Sequence, residues 1–450
     1  MSRRDNTARG KGAVSGGTGA ERAPLPGLRA LDFITTEWNG ERVVCARDYE
    51  DLLDGPVLLP LPIMLIALLL DGRRDAGAVQ AEYARLSGGL LLPSADLDRI
   101  VRDLDAHGLL DSPALAARRR AVADAYRAAP HRAMAHAGAA YPADPTACAV
   151  ALERYLAGAR RPTSGQQPGN QSRPTRGRQP SHASDPGNGP RPAAAPRGIL
   201  APHIDFARGG PMYGRAYAPL AGLPAGACVV VVGVAHAGSA APYVLTGKGY
   251  ETPFGVVEVD RPLLEAVATR APFDPLEEEP VHRGEHSVEF QVLWLAHMMR
   301  GRPFTVLPVL TGPLDAHTTN GTPAAVPAIE AFIGALREAI AAANRPVCVV
   351  GGVDLSHVGP RFGDQEAVGP ALGRRASTAD LAALRHVEAG DAEGWWRTVA
   401  ADGNRCHVCG LGAIYTVLRL LAPVTGRVLG YDQGVDPAGG LVGFSAVVLD

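Results

Sequence analysis

The apolar positions of this chain follow two rhythms after residue 197. Short continuous runs occur at 197–202 (RGILAP), 227–234 (ACVVVVGV), 304–310 (FTVLPVL), 346–350 (PVCVV) and 441–449 (LVGFSAVVL). Runs of this length, rich in β-branched residues, predict strands buried on both faces. Between them, 287–299, 325–343, 381–386 and 413–421 space their apolar residues as helices do. Strands and helices in alternation predict an α/β fold with a mixed, mostly parallel sheet flanked by helices.

A smaller unit precedes it, over residues 28–115. The stretches 31–34 (LDFI) and 42–46 (RVVCA) read as short strands, and 62–70 as a buried helix stopped by Asp71-Gly72. A second helix spans 76–86. A third starts at Ser94, read as its N-cap, and carries the stripe Leu97, Ile100, Val101 and Leu104. It ends at His107-Gly108, and Leu109-Leu110 read as a wing strand. Three helices with flanking strands predict a small winged-helix-like α+β domain. The first 27 residues read as a disordered tail. The stretch 162–196 has almost no aliphatic residues and cannot offset its ordering entropy. It reads as a disordered insertion inside a larger domain over 130–450.

Composition removes several function classes. Lys+Arg 44 against Asp+Glu 46 leaves a net charge of −2, which argues against a general nucleic-acid binder. The amino terminus has basic residues without an apolar run behind them, so it does not read as a secretory signal. The most apolar run, 57–70, is interrupted by Pro60 and Pro62 and is shorter than the roughly 20 residues that span a bilayer. Six cysteines in 450 residues do not form a disulfide framework. A soluble, cytoplasmic protein with reduced cysteines is expected, with neither membrane nor nucleic acid as a partner.

The candidate chemistry lies at strand ends. Three predicted strands each run into a polar tip carrying histidine: Ala201-Pro202-His203, Gly233-Val234-Ala235-His236 and Gly352-Val353-Asp354-Leu355-Ser356-His357. Ligands of open α/β sheets bind at the carboxyl ends of strands, and neutral imidazole is the commonest metal ligand. A further candidate is Cys409, just before the 413–421 helix, because a helix start stabilises thiolate. Its CxxC spacing with Cys406 is equally that of a redox pair, half a zinc site or chance. With no second CxxC, a Cys₄ zinc site is excluded. Gly284-Glu285-His286-Ser287 opens another helix; Glu285 or Ser287 reads as its cap, and His286 as a base facing the same crevice.

Two resemblances follow. ALLLDGRRDAGAVQAEY with LDRIVRDLDAHGLLDSP resembles the PqqD-like winged-helix domains, which implies a peptide ligand for the first domain. From about His136 onward, AHAGAAYPADPTACAVALERYL, APH, GVAH, GEHSVEFQVLWL, VDLSH and CGLGA resemble, in order, the motifs of the Memo family, or AmmeMemoRadiSam system protein B. That resemblance implies a fold similar to the LigB-type class III extradiol dioxygenases. It puts His203, His236 and Cys409 on the family's metal-binding positions. Asp354 and His357 fall on an adjoining polar pair and His286 on a further pocket histidine, the three expected catalytic groups. Iron(II) or copper is the implied metal, with zinc as a third choice. Radical-SAM and AMMECR-type proteins are the implied partners.

The chain departs from the family pattern at Asp205, which would add a ligand or turn outward, and at Ala237, where many members have a second histidine. A redox metal protein is the leading expectation. A binding or scaffold component with a vestigial site is the main rival, and a zinc hydrolase is a third reading. No GxSxG elbow stands among these motifs, which disfavours a serine hydrolase.

Overall fold

The computed structural model describes residues 23–53, 55–159, 195–318 and 321–450. Most of the expected insertion, and the first 22 residues of the expected tail, lie outside them. The chain divides into two compact units. The first takes in the described residues up to Leu31, with Glu37–Ala46 and Leu53–Arg118; the second takes in Asp32–Thr36, Arg47–Leu52 and Arg119–Asp450.

β1 (Asp32–Trp38), β2 (Glu41–Arg47) and β3 (Val57–Pro60) form a three-stranded sheet. The helices α1 (Leu61–Leu69), α2 (Ala76–Leu86) and α3 (Ser94–Ala106) follow. The sequence pattern placed the helix at 62–70 and assigned no strand directly before it; one leucine-rich run serves both β3 and α1, and Pro60 marks the switch. Ser94 is the first residue inside α3 rather than its cap; Pro93 precedes the helix, and the Ser94 hydroxyl accepts from Gln80 Nε2 (3.1 Å). Leu110 bridges Leu28 where a wing strand was expected. Residues 25–27 of the expected tail make backbone hydrogen bonds: Leu25 N–H donates to Arg74 O (2.9 Å) and Gly27 O accepts from Asp111 (2.7 Å). Backbone pairing needs no apolar side chain, so the pattern did not register it.

The helix α4 (Pro113–Ala128) leads into the second unit, followed by α5 (Pro145–Ala159). Four parallel strands form the centre of its eight-stranded sheet: β4 (Gly198–Ala201), β10 (Val347–Gly352), β5 (Cys228–Val234) and β9 (Thr305–Thr311), in that order. The short β6 (Tyr243–Leu245) adds antiparallel beside β9, and β13 (Gly440–Leu449) antiparallel beside β4. β11 (His357–Val358) and β12 (Gly426–Asp436) pair with β13. A hairpin of β7 (Tyr250–Thr252) and β8 (Gly255–Val257) stands apart. The sheet is mixed and flanked by helices, as its strand pattern predicts.

Both faces of the sheet are covered, which explains the unbroken valine run in β5. Val230 and Val232 pack into one core with α7 (Arg261–Arg270), α10 (Pro327–Ala342), α11 (Pro370–Glu388), α12 (Ala392–Ala400) and α13 (Leu411–Leu421). Val229 and Val231 pack into the other with α5, α6 (Phe206–Tyr217) and α8 (His286–Met298). Alternate side chains of a strand point to opposite faces, so a doubly covered strand has no polar positions to offer. The short α9 (Leu314–His317) follows β9. Among the described residues no helix is long and apolar enough to cross a membrane.

Two buried polar clusters tie the layers together. Arg132 is fully buried and gives its guanidinium to Glu289 of α8, to His282 O (3.0 Å), to Ala133 O (3.0 Å) and to Glu285 O (2.9 Å). Glu289 also accepts from Tyr141 Oη (2.5 Å) and His136 N–H (3.0 Å). Arg132→Met strands a buried carboxylate, and removing one partner of such a pair costs ~3–5 kcal/mol. Urea unfolding of the variant is expected to show a loss of that order; a change below ~1 kcal/mol would contradict the role given to the pair.

In the second cluster, Asp380 of α11 accepts from Ser356 and from Tyr431 Oη (2.9 Å). Burial pushes its carboxyl from the ordinary 3.8 up to about 6, against the pull of those hydrogen bonds. The ionised form is therefore the one the fold disfavours. The stability this group contributes is full below pH 3.8 and is lost as the pH rises through about 6. Asp380→Asn carries no charge, so it is expected to gain on the wild type between about pH 4 and about pH 7. Urea midpoints across that range test this, and a pH-independent difference refutes it.

Candidate metal centre

Three adjacent parallel strands deliver the site. β4, β10 and β5 lie side by side, and the chain leaves their carboxyl ends towards His203, Asp354 and His236 respectively. Parallel strands put these loops on one edge of the sheet. Cys409 comes from a distant part of the chain, in the loop before α13. A side chain at Gly410 would meet Asp354 O at 2.6 Å, so glycine lets this loop close on the tip of β10.

Hydrogen bonds fix the proton positions on both imidazoles. Nδ1 of His203 lies 3.0 Å from Gly352 O. A carbonyl only accepts, so Nδ1 carries the proton and Nε2 keeps its lone pair. Nδ1 of His236 lies 3.0 and 3.1 Å from the two oxygens of Glu285. Its proton therefore faces the carboxylate, and Nε2 is again the open nitrogen. Nε2 of His203 is 3.2 Å from Cys409 Sγ. Donor atoms of His203, His236 and Cys409 all lie within 4.8 Å of one another.

Glu285 organises this arrangement. It is buried and caps α8 by accepting from Ser287 N–H (2.8 Å), while also accepting from His236 N–H (2.8 Å). The sequence reading found its capping role and missed its grip on His236, because residues 49 positions apart are not linked by any local pattern. His236, Glu285 and His286 also satisfy the distance for a metal-binding group. There the Glu285 oxygens are already occupied by three N–H groups, which favours a supporting role.

The charges are coupled. Burial opposes ionising Cys409, but His203 and His236 outweigh it and bring the thiol down to about 7. Burial likewise opposes charge on His236, yet Glu285 and Cys409 hold its pKa well above the usual range. Together they form an electron-rich pocket that accepts positive charge, whether a proton or a cation. Burial drives His286 well below the ordinary imidazole range, leaving it neutral. Burial also raises the Asp354 carboxyl to about 6, against the pull of His357, and lowers His357.

All six expected site residues line one cavity of about 620 Å³. The His286 ring stacks on His236 (centroids 4.7 Å apart, 21° between planes). Asp354 accepts from the His203 backbone N–H (3.0 Å) and approaches its ring nitrogen at 3.6 Å. His357 bonds Leu355 O through Nδ1 (2.9 Å) and meets Phe362 edge to face. Asp205 caps α6 and pairs with Arg208, so it serves the helix rather than the ligand set. Cys406 packs beside apolar side chains and is not a lining residue. Sequence reasoning missed Tyr49, in the second unit's Arg47–Leu52 segment, whose ring lies 6.0 Å from His236 and 25° from parallel. It also missed His407, a lining residue held at φ 48°. Tyr49 follows β2, a strand of the small sheet outside the α/β alternation, and His407 follows no strand.

The donor set now has relatives to be set beside. The sequence profile of the Memo-like protein family matches residues 132–440. The chain is 23% identical over 380 residues to a MEMO1 family protein of Aquifex aeolicus, covering 84% of this chain and 88% of the relative. It is 27% identical over 364 residues to a MEMO1 family protein of Thermus thermophilus, covering 80% and 95%. A third, from Methanococcoides burtonii, is 33% identical over 165 residues, 36% of this chain and 56% of the relative. With well over half of the chain matched by the profile, this protein belongs to the Memo-like family.

Glu285→Gln leaves one oxygen for three N–H donors and turns an amide N–H₂ towards one of them. His236 should then lose its fixed tautomer, visible as a change in its imidazole ¹⁵N shifts. Metal affinity should fall about 10–100-fold, the usual cost of losing such a support. Unchanged shifts and unchanged affinity would show that Glu285 only caps the helix.

Proposed function

We propose that the chain is a metal-dependent redox protein in which His203, His236 and Cys409 hold an iron or copper ion. One observation carries this reading: two imidazoles with their Nδ1 protons committed elsewhere present Nε2 beside one thiol, all within 4.8 Å. Two imidazole nitrogens and a thiolate suit copper and zinc and accept iron; of these, copper and iron serve a redox role. Such an ion, when bound, supplies electron transfer at the base of the cavity.

The protein's own groups then have separate tasks. Asp354 positions His203 by accepting from its backbone N–H. His286 and His357, which both line the cavity, exchange protons with a molecule held there. Glu285 fixes His236 as acceptor of its Nδ1 proton. Family resemblance supports radical-SAM and AMMECR-type proteins as partners, and a peptide as ligand of the first unit.

Anaerobic purification followed by elemental analysis tests the reading; about one iron or copper per chain is expected. Cys409→Ser should lower affinity by more than the ~10–100-fold typical of a lost supporting bond, because a ligand itself is removed. Cys406→Ser should leave affinity unchanged. Equal losses in the two variants, or a Cys406–Cys409 disulfide that tracks activity, would replace this reading with a dithiol one. Metal bound without any redox response would favour a scaffold.

A further inference from the structure

Cys409 lines two cavities, and it is the one residue they share. The larger holds the imidazoles and carboxylates described above. The smaller, of about 180 Å³, lies against the end of β5, the loop after β9 and the start of α13. Its wall is mostly apolar, formed by Val234, Leu314, Trp396 and Val408, and the exposed Asp315 stands among its lining residues. At roughly 30 Å³ per water this space holds about six waters, or a molecule of a few heavy atoms.

The two linings select for different molecules. Imidazoles, carboxylates and the Arg208 and Arg361 guanidinium groups make the large cavity suitable for a polar or charged organic molecule. Desolvating a charge against Val234, Leu314 and Trp396 is costly, so the small pocket admits only small uncharged molecules. We propose that this pocket is a second access route, through which small uncharged molecules, of the size class of dioxygen, reach the Cys409 sulfur independently of the large cavity. A polar molecule seated on the imidazoles would then leave Cys409 approachable by a second, smaller one. The value of such a route to a redox metal rests on the function proposed above. The route itself does not, and it is tested on metal-free protein.

The test is the rate at which Cys409 of the full chain, freed of metal by a chelator, is labelled by two thiol reagents, with peptide mass spectrometry separating Cys409 from the other cysteines. Methyl methanethiosulfonate is small and neutral; its 2-sulfonatoethyl analogue is larger and anionic. Asp315→Trp covers the pocket at an exposed position, and Leu314→Phe fills it from within. Both variants should slow the neutral reagent at Cys409 by about tenfold and leave the anionic reagent unchanged. If Leu314→Phe proves misfolded by circular dichroism, Asp315→Trp still decides. An unchanged neutral rate overturns the proposal, because all access would then run through the large cavity, and so does an equal fall for both reagents, which would mean that the substitutions disturb Cys409 itself rather than a route selective for small neutral molecules.

Discussion

The site depends on one buried carboxylate. Glu285 has three N–H groups to satisfy: its own helix start, the backbone of His236 and the ring of His236. As the cap of α8 it costs the fold little, since the first turn of a helix needs an acceptor and favours negative charge. By using the same oxygens for His236 it converts a helix cap into the support of an imidazole in the candidate donor set. Burial works against a bare carboxylate there, yet the imidazole protons and the cap hold Glu285 well below the ordinary range.

Everything around Glu285 keeps α8 in register with the strand ends. Arg132 grips the Glu285 carbonyl on one side and the Glu289 carboxylate, one turn further on, on the other. Glycines let the helix approach. A side chain at Gly352 would meet Ser287 O at 2.3 Å, and one at Gly233 would meet Ser287 Oγ at 2.5 Å. The ends of β5 and β10 are thus cut back to backbone where α8 begins. Small residues at the strand ends and a buried ion pair behind the helix together fix His236 relative to His203.

The donor set is balanced for a cation. Cys409 and His236 each bring the other towards its charged form, and Glu285 closes the chain of charges. A metal ion entering between them would displace protons rather than create a new unbalanced charge, which is why such sites bind metal in a pH-dependent way. Neutral His286 stacked beside His236 adds a base without adding charge to an already coupled group.

The sequence by itself determined the α/β alternation, because strands buried on both faces must be continuously apolar, as at 228–234. It also determined that His203, His236 and Asp354 follow buried strands, since each comes just after a run of that kind. Only the tertiary structure decided which of these face one another. The sheet order β4-β10-β5 pairs residues such as Val349 with Gly198 and Val347 with Cys228, more than a hundred positions apart, and hydrogen-bonded pairing across such distances leaves no local periodicity. The same holds for Glu285 on His236, for Tyr49 beside it, and for the long α11, whose mixed face exceeded the short apolar stretch that marked it. Asp205 illustrates the limit from the other side: its local cap on α6 was within reach of the sequence, but only the fold showed that the cap, rather than a metal, occupies its oxygens. Local chemistry selects the residues that can act, whereas contacts between distant segments decide which of them act together.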